Sequence, residues 1–199
     1  FKNKNSNAIL RDFKNFLDSY KTIFKSMDKV LTSCCHLPWA TYWKTALITA
    51  EHCKYKDLGR LQYSIMRFFY LYYMAGKTLN TIKQTCFNLI LNIKKNAPID
   101  KIEADLEKKL KNDGVIKQVL ENLQGEVYYE NWLKPLLILI EYWQTDGDEV
   151  SYIDTSPKVI SIEHVFPRNP AEGSEWERMF PEGEKYTNTL GNLTLLSGA

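Results

Sequence analysis

No uninterrupted apolar run in the chain reaches the roughly 18 residues of a membrane-crossing helix, so nothing in it reads as a membrane anchor. The chain opens on neither methionine nor a signal-peptide pattern, and Phe1-Lys2-Asn3-Lys4-Asn5 reads as the start of a fragment. Cysteine is scarce: Cys34, Cys35, Cys53 and Cys86 are too few, in a chain this long, for a secreted disulfide scaffold. Neighbouring Cys34 and Cys35 would pair only under strain, so reduced thiols and a cytoplasmic location are expected. Cys34-Cys35-His36 and His52-Cys53 carry zinc-ligand chemistry, but their spacing matches no standard site. Both groups end apolar helical segments, which favours small buried hydrophobes. No internal repeat or low-complexity tract is present.

What remains is an ordinary globular composition, 44% hydrophobic and 25% charged, in 199 residues. That length allows one or two domains and a sizeable core. The net charge of +2 is unevenly spread: residues 1–60 hold eleven Lys/Arg against five Asp/Glu, and 151–199 hold four against seven. A basic amino-terminal region suits phosphates, although a solvated helix face explains it more simply.

From about residue 4 to 143 the pattern is helical. Ile9, Phe16, Ile23 and Val30 recur every seventh residue, flanked by Phe13, Tyr20 and Met27 and by Leu17, Phe24 and Leu31. Three adjacent stripes predict one long helix with an apolar face too broad for a two-stranded coil, hence a bundle. Pro38 suits the first turn of a helix through Trp39, Trp43 and Leu47, and Asp57 suits the cap of one carrying Leu61, Ile65, Phe68, Phe69 and Tyr72 as far as Gly76. Helices are further predicted over 78–95, over a charged stretch at 98–111, from Gly114 to Leu123, and over 132–143. The polar stretch 144–158 contains Gly and Pro and sets a boundary, giving a helical domain over 1–150 and a second unit over 151–199.

In that second unit the texture changes. Val159 to Val165 alternates with period two, as a strand does. A loop rich in Pro, Gly and Glu follows at 167–185, on which Phe166, Trp176 and Phe180 are the expected anchors. Then comes the compact Leu190-Gly191-Asn192-Leu193-Thr194-Leu195-Leu196.

Ile162-Glu163-His164-Val165-Phe166-Pro167, followed by residues 190–196, resembles the His-Me finger (HNH) nucleases, in particular the carboxy-terminal nuclease domain of GmrSD-type modification-dependent restriction endonucleases. In that family a Glu-His-x-x-Pro strand end precedes a Leu-Gly-Asn-Leu-x-Leu-Leu strand. The resemblance is strong over about 158–199 and much looser over the helical region. It implies a mainly α chain: a multi-helix bundle followed by a small α+β segment, a ββα-metal finger stopping short of its final helix.

Phosphodiester hydrolysis needs a base for water and a cation for the charge on the phosphate. The resemblance gives His164 the base role, which its ordinary pKa of about 6.5 suits. It gives Asn192 a supporting role, since an amide donates and accepts together and can pin a loop. Glu163 falls where many relatives bind metal, and a hard carboxylate suits Mg²⁺ or Mn²⁺. Consecutive strand residues point to opposite faces, however, so one metal could meet both Glu163 and His164 only where the strand bends or ends. Pro167 is expected to end the strand; Arg168 suits a phosphate contact, although a plain surface arginine explains it more simply.

The family pattern continues into a helix bearing a further His or Asn, whereas this sequence stops at Ser197-Gly198-Ala199. The expectation is therefore part of a bacterial-defence DNA endonuclease that does not cut by itself. Its partners would be DNA, modified or not, and an amino-terminal nucleotide-handling domain of the same parent chain, with no membrane. The alternatives are a helical DNA- or protein-binding module with a degenerate, structural finger, and a helical scaffold with no ligand of its own.

Overall fold

The computed structural model describes residues 5–25 and 28–197. It is mainly helical, with a two-stranded antiparallel ribbon near the carboxy-terminal end. The helices are α1 (Ser6–Lys25), α2 (Lys29–Cys34), α3 (Ala40–His52), α4 (Leu58–Met74), α5 (Lys83–Lys94), α6 (Ile99–Asn112), α7 (Val115–Gln124), α8 (Leu133–Gln144) and α9 (Glu175–Met179). The strands are β1 (Ile160–His164) and β2 (Leu193–Ser197). Among the described residues no helix is long and apolar enough to cross a membrane.

The long amino-terminal helix expected from the stripes is two helices. Asp28 caps α2 with extended backbone (ψ 177°), and its carboxylate accepts the Leu31 N–H at 2.9 Å. A short polar side chain that satisfies a free N–H in this way starts a helix instead of continuing one. Met27, on one of the stripes, lies outside the described residues. Pro38 likewise precedes its helix and does not open it: Trp39 takes the amino-terminal cap position of α3 with φ 63°.

At the centre of the bundle lies α4. Leu61, Ile65, Met66, Phe68, Phe69, Tyr70 and Tyr72 are all buried and spread around its axis. So wide an apolar face needs several neighbours, and α2, α3, α6 and α7 supply them. The charged stretch expected to be weak is a full amphipathic helix, α6. Ile99, Ile102, Leu106 and Leu110 form its buried stripe, while Asp100 and Glu103 face outward to Arg60 of α4 at 2.9 and 2.6 Å. Exposed pairs of this kind contribute little, about 0–1 kcal/mol each; the stripe holds the helix.

The ribbon is joined to the bundle through one continuous apolar cluster. Leu193 is buried in the core with the helical residues, and Ile162, Leu190 and Leu195 pack against it. Helix α8 lies on β2. Lys134, in its first turn, donates to the carbonyls of Thr155 (3.2 Å) and Ile160 (3.0 Å), fixing where β1 begins.

Candidate active site

Strand β1 pairs with β2 in a regular register that sets Ile162 opposite Leu195, Glu163 opposite Thr194, and His164 opposite Leu193. Leu193 and Leu195 face the core, so their partners Ile162 and His164 do too, while Glu163 and Thr194 are exposed on the outer face. His164 is thus the last paired residue, half-buried and turned toward the helical body. There its ring packs against Tyr128, in the loop before α8, with centroids 4.4 Å apart. The Nε2 atom of His164 lies 3.2 Å from the Oδ1 of Asn188.

Asn192 does not touch His164. It is 8% exposed, and its side chain closes a set of backbone bonds just past the strand. The Oδ1 atom accepts the N–H of Phe166 at 2.6 Å, and Nδ2 donates to the carbonyls of Phe166 (3.1 Å) and Thr187 (2.8 Å). Its own carbonyl accepts the Val165 N–H at 2.9 Å. One amide therefore joins the end of β1 to the turn before β2. This is the pinning expected of it, applied to the backbone beyond the histidine and not to the imidazole.

Phe166 continues from that anchor into an aromatic trio. Trp176 and Phe180 stand 5.9 and 6.2 Å from its ring and 6.0 Å from each other, so the anchors foreseen for the loop do meet. The loop holds α9 and a 3₁₀ turn over Gly183–Tyr186. Pro167 follows the strand without ending it, since pairing stops at His164.

Arg168 is exposed and shares Tyr128 with the histidine. Its guanidinium carbon lies 5.7 Å from the Tyr128 ring centroid, and Nη2 donates to the Tyr129 hydroxyl at 3.3 Å. No carboxylate among the described residues forms an ion pair with it. A cation held by two tyrosines and not neutralised remains available to an anion.

The metal test gives a different result. Glu163 and His164 stand on opposite faces of a ribbon that does not bend between them. Among the described residues no three His, Cys, Asp or Glu side chains gather as a metal site would require. The donor set among the described residues does not complete a cation site. The cysteines form no disulfide among the described residues; Cys34 and Cys86 are buried, and burial pushes both thiols up, Cys86 to about 11.

Two contacts of His164, Tyr128 and Asn188, escaped sequence reasoning. They are linked: the carbonyl of Asn188 accepts the Val127 N–H at 2.8 Å, tying the tyrosine loop to the turn before β2.

Residues 113–199 match the family model of the C-terminal domain of GmrSD restriction endonucleases. The match supports a GmrSD-type restriction endonuclease C-terminal region there. It begins where α6 ends, so it takes in α7, the tyrosine loop and α8 as well as the ribbon. All the residues gathered around His164 thus lie within the GmrSD-type region, and residues 1–112 lie outside it. Nothing among the curated proteins or the solved structures matches the chain.

Proposed function

We propose that this chain is part of an endonuclease that hydrolyses phosphodiester bonds in DNA, with His164 as the general base. The observation that carries this reading is the setting of His164 within the GmrSD-type region. It ends a strand, is wedged against Tyr128 and held at one ring nitrogen, and shares that tyrosine with Arg168. A water oxygen bonds to phosphorus while its proton passes to the imidazole. The bond to the leaving oxygen breaks, and that oxygen takes a proton from solvent. Arg168 holds a phosphate. Asn192 braces the turn and transfers no proton.

Mg²⁺ or Mn²⁺ is the proposed cofactor, stabilising charge on the phosphate when bound, with Glu163 as one ligand. Glu163 faces outward, and no third acidic, imidazole or thiol group joins it and His164 among the described residues. For that reason residues 1–199 alone are not expected to cleave. The setting we propose is cytoplasmic, in a restriction or phage-defence system. There an amino-terminal nucleotide-handling domain of the parent protein acts on modified DNA through the helical body. We keep 1–150 and 151–199 as separate domains in this scheme, although they share one core.

The test is plasmid nicking by the full-length gene product with Mg²⁺ or Mn²⁺, on modified and unmodified DNA. Wild type should nick, and His164→Ala should lower the rate by about 10²-fold or more, the scale on which a positioned base acts. Wild-type inactivity on both DNAs would sink the assignment.

One observation favours the second reading, a binding module with a structural finger: α1 exposes Leu10, Phe13, Leu17 and Tyr20 on one side. Under that reading, salt-dependent DNA or protein binding by the whole chain survives His164→Ala while nicking is never seen.

A further inference from the structure

The geometry points to Asn188 as the residue that fixes the tautomer of His164, keeping the proton on Nε2 and leaving Nδ1 as the basic nitrogen. This inference rests on the proposed role of His164 for its functional meaning, but not for its test.

An amide oxygen can only accept. Asn188 Oδ1 lies 3.2 Å from Nε2, so in neutral His164 the shared hydrogen sits on Nε2 and the free lone pair on Nδ1. No residue among those described hydrogen-bonds to Nδ1. The turn that carries Asn188 is held: its backbone carbonyl accepts from Val127, and that of its neighbour Thr187 accepts from Asn192. Tyr128 packs the ring at 4.4 Å and limits its rotation. When Nδ1 takes a proton from water, the Nε2–H bond to the amide becomes charge-assisted and shortens. Asn188 therefore supports the imidazolium without adding a charge, where a carboxylate partner would raise the histidine pKa and hold it protonated near neutrality. The central Asn192 keeps the backbone in place, and Asn188 orients the ring. The two supporting tasks fall to two amides.

The chain supplies its own control. His36 Nε2 lies 3.0 Å from the Tyr142 hydroxyl, which accepts the Ile153 N–H at 2.9 Å and so has its own hydrogen to donate. Donation from that hydroxyl to Nε2 places the His36 proton on Nδ1. The chain has three histidines, and two of them are expected as opposite tautomers in one spectrum.

The experiment is a long-range ¹H–¹⁵N correlation spectrum of the 199-residue chain above pH 8. Wild type should show His164 protonated on Nε2 and His36 on Nδ1. Asn188→Leu removes the acceptor and should let the two tautomers mix. An Nδ1-protonated His164 in wild type would overturn the inference with no variant needed, and so would an unchanged tautomer in a folded Asn188→Leu. Unchanged His36 signals report that a variant is folded. A correct tautomer in a protein whose full-length form never nicks DNA would leave this inference standing and defeat the base assignment instead.

Discussion

Asn192 makes bonds that no other side chain of its size could make together. Its amide faces one backbone N–H and two carbonyls, at 2.6, 3.1 and 2.8 Å, in a place where water hardly reaches. Asn192→Ala leaves those groups without partners, and each buried orphan costs about 1–3 kcal/mol. Asn192→Asp keeps the shape but turns two donating contacts into a carboxylate facing carbonyl oxygens. Both variants should lose on the order of 2 kcal/mol or more in urea unfolding. Aspartate should fare no better than alanine above pH 6, where its carboxyl would be ionised. If both stay within about 0.5 kcal/mol of wild type, as ordinary surface changes do, the brace contributes nothing. Losing His164 from its place against Tyr128 is the functional consequence, because the pinned backbone begins one residue after it.

The same turn depends on an element that carries no chemistry. The 3₁₀ turn over Gly183–Tyr186 passes directly beneath Phe166, and a Cβ on Gly183 would lie 2.5 Å from the tip of that ring. Trp176 and Phe180 close on the ring edge-on, and Asn192 clamps its backbone, so the ring has little room to yield. Gly183→Ala should therefore destabilise by about 1–3 kcal/mol, as overpacking does, with a change in Trp176 fluorescence as the local report. An unaltered urea midpoint would mean that the loop floats free of the site. These elements also mark how far the sequence could be read. The strand at Ile160–His164 was legible because period-two alternation leaves a local imprint, and β2 only through the family resemblance over residues 190–196. The aromatic anchors were legible because a small ribbon has few other large side chains to bury. The break between α1 and α2 was not, because Val30 and Leu31 continue the stripes across it and periodicity does not register an interruption that keeps phase. Tyr128 and Asn188 were equally hidden. Each meets His164 only when the ribbon closes on the loop before α8, a tertiary event with no local pattern.

At the scale of the molecule, what joins helical body to ribbon is more than apolar contact. Asp28 and Lys29, at the start of α2, meet the segment after α8: the Lys29 N–H bonds to the Asp148 carbonyl at 2.8 Å and its ammonium to that of Gly147 at 2.9 Å. Further along the same segment, Tyr152 stacks on His36 at 4.9 Å with the rings 4° from parallel, and Ile153 donates to the Tyr142 hydroxyl that bonds to His36. His36 is thus the hub through which α8 and the 148–153 segment register against the end of α2. Burial pushes its pKa down from 6.5 to about 4. Its Nδ1 is buried without a partner, and the titratable side chains that contact it, Tyr142 and Tyr152, carry no negative charge in this range to help it ionise. The linkage follows directly. Above pH 6.5 the ring is neutral in both folded and unfolded chains, and its full contribution is present. As pH falls from 6.5 toward 4 the unfolded chain binds a proton that the folded chain refuses, so stability is lost across that window and levels off below it. His36→Phe keeps a ring against Tyr152 but cannot titrate. Its melting temperature should be lower than wild type at pH 8, because the Tyr142 hydroxyl loses its acceptor, and should fall less steeply between pH 6.5 and 4. Parallel curves for the two proteins would show that acid sensitivity in this window comes from carboxylates elsewhere. A shallower curve for the variant would assign it to the joint that seats the ribbon, and His164 with it, on the helical body.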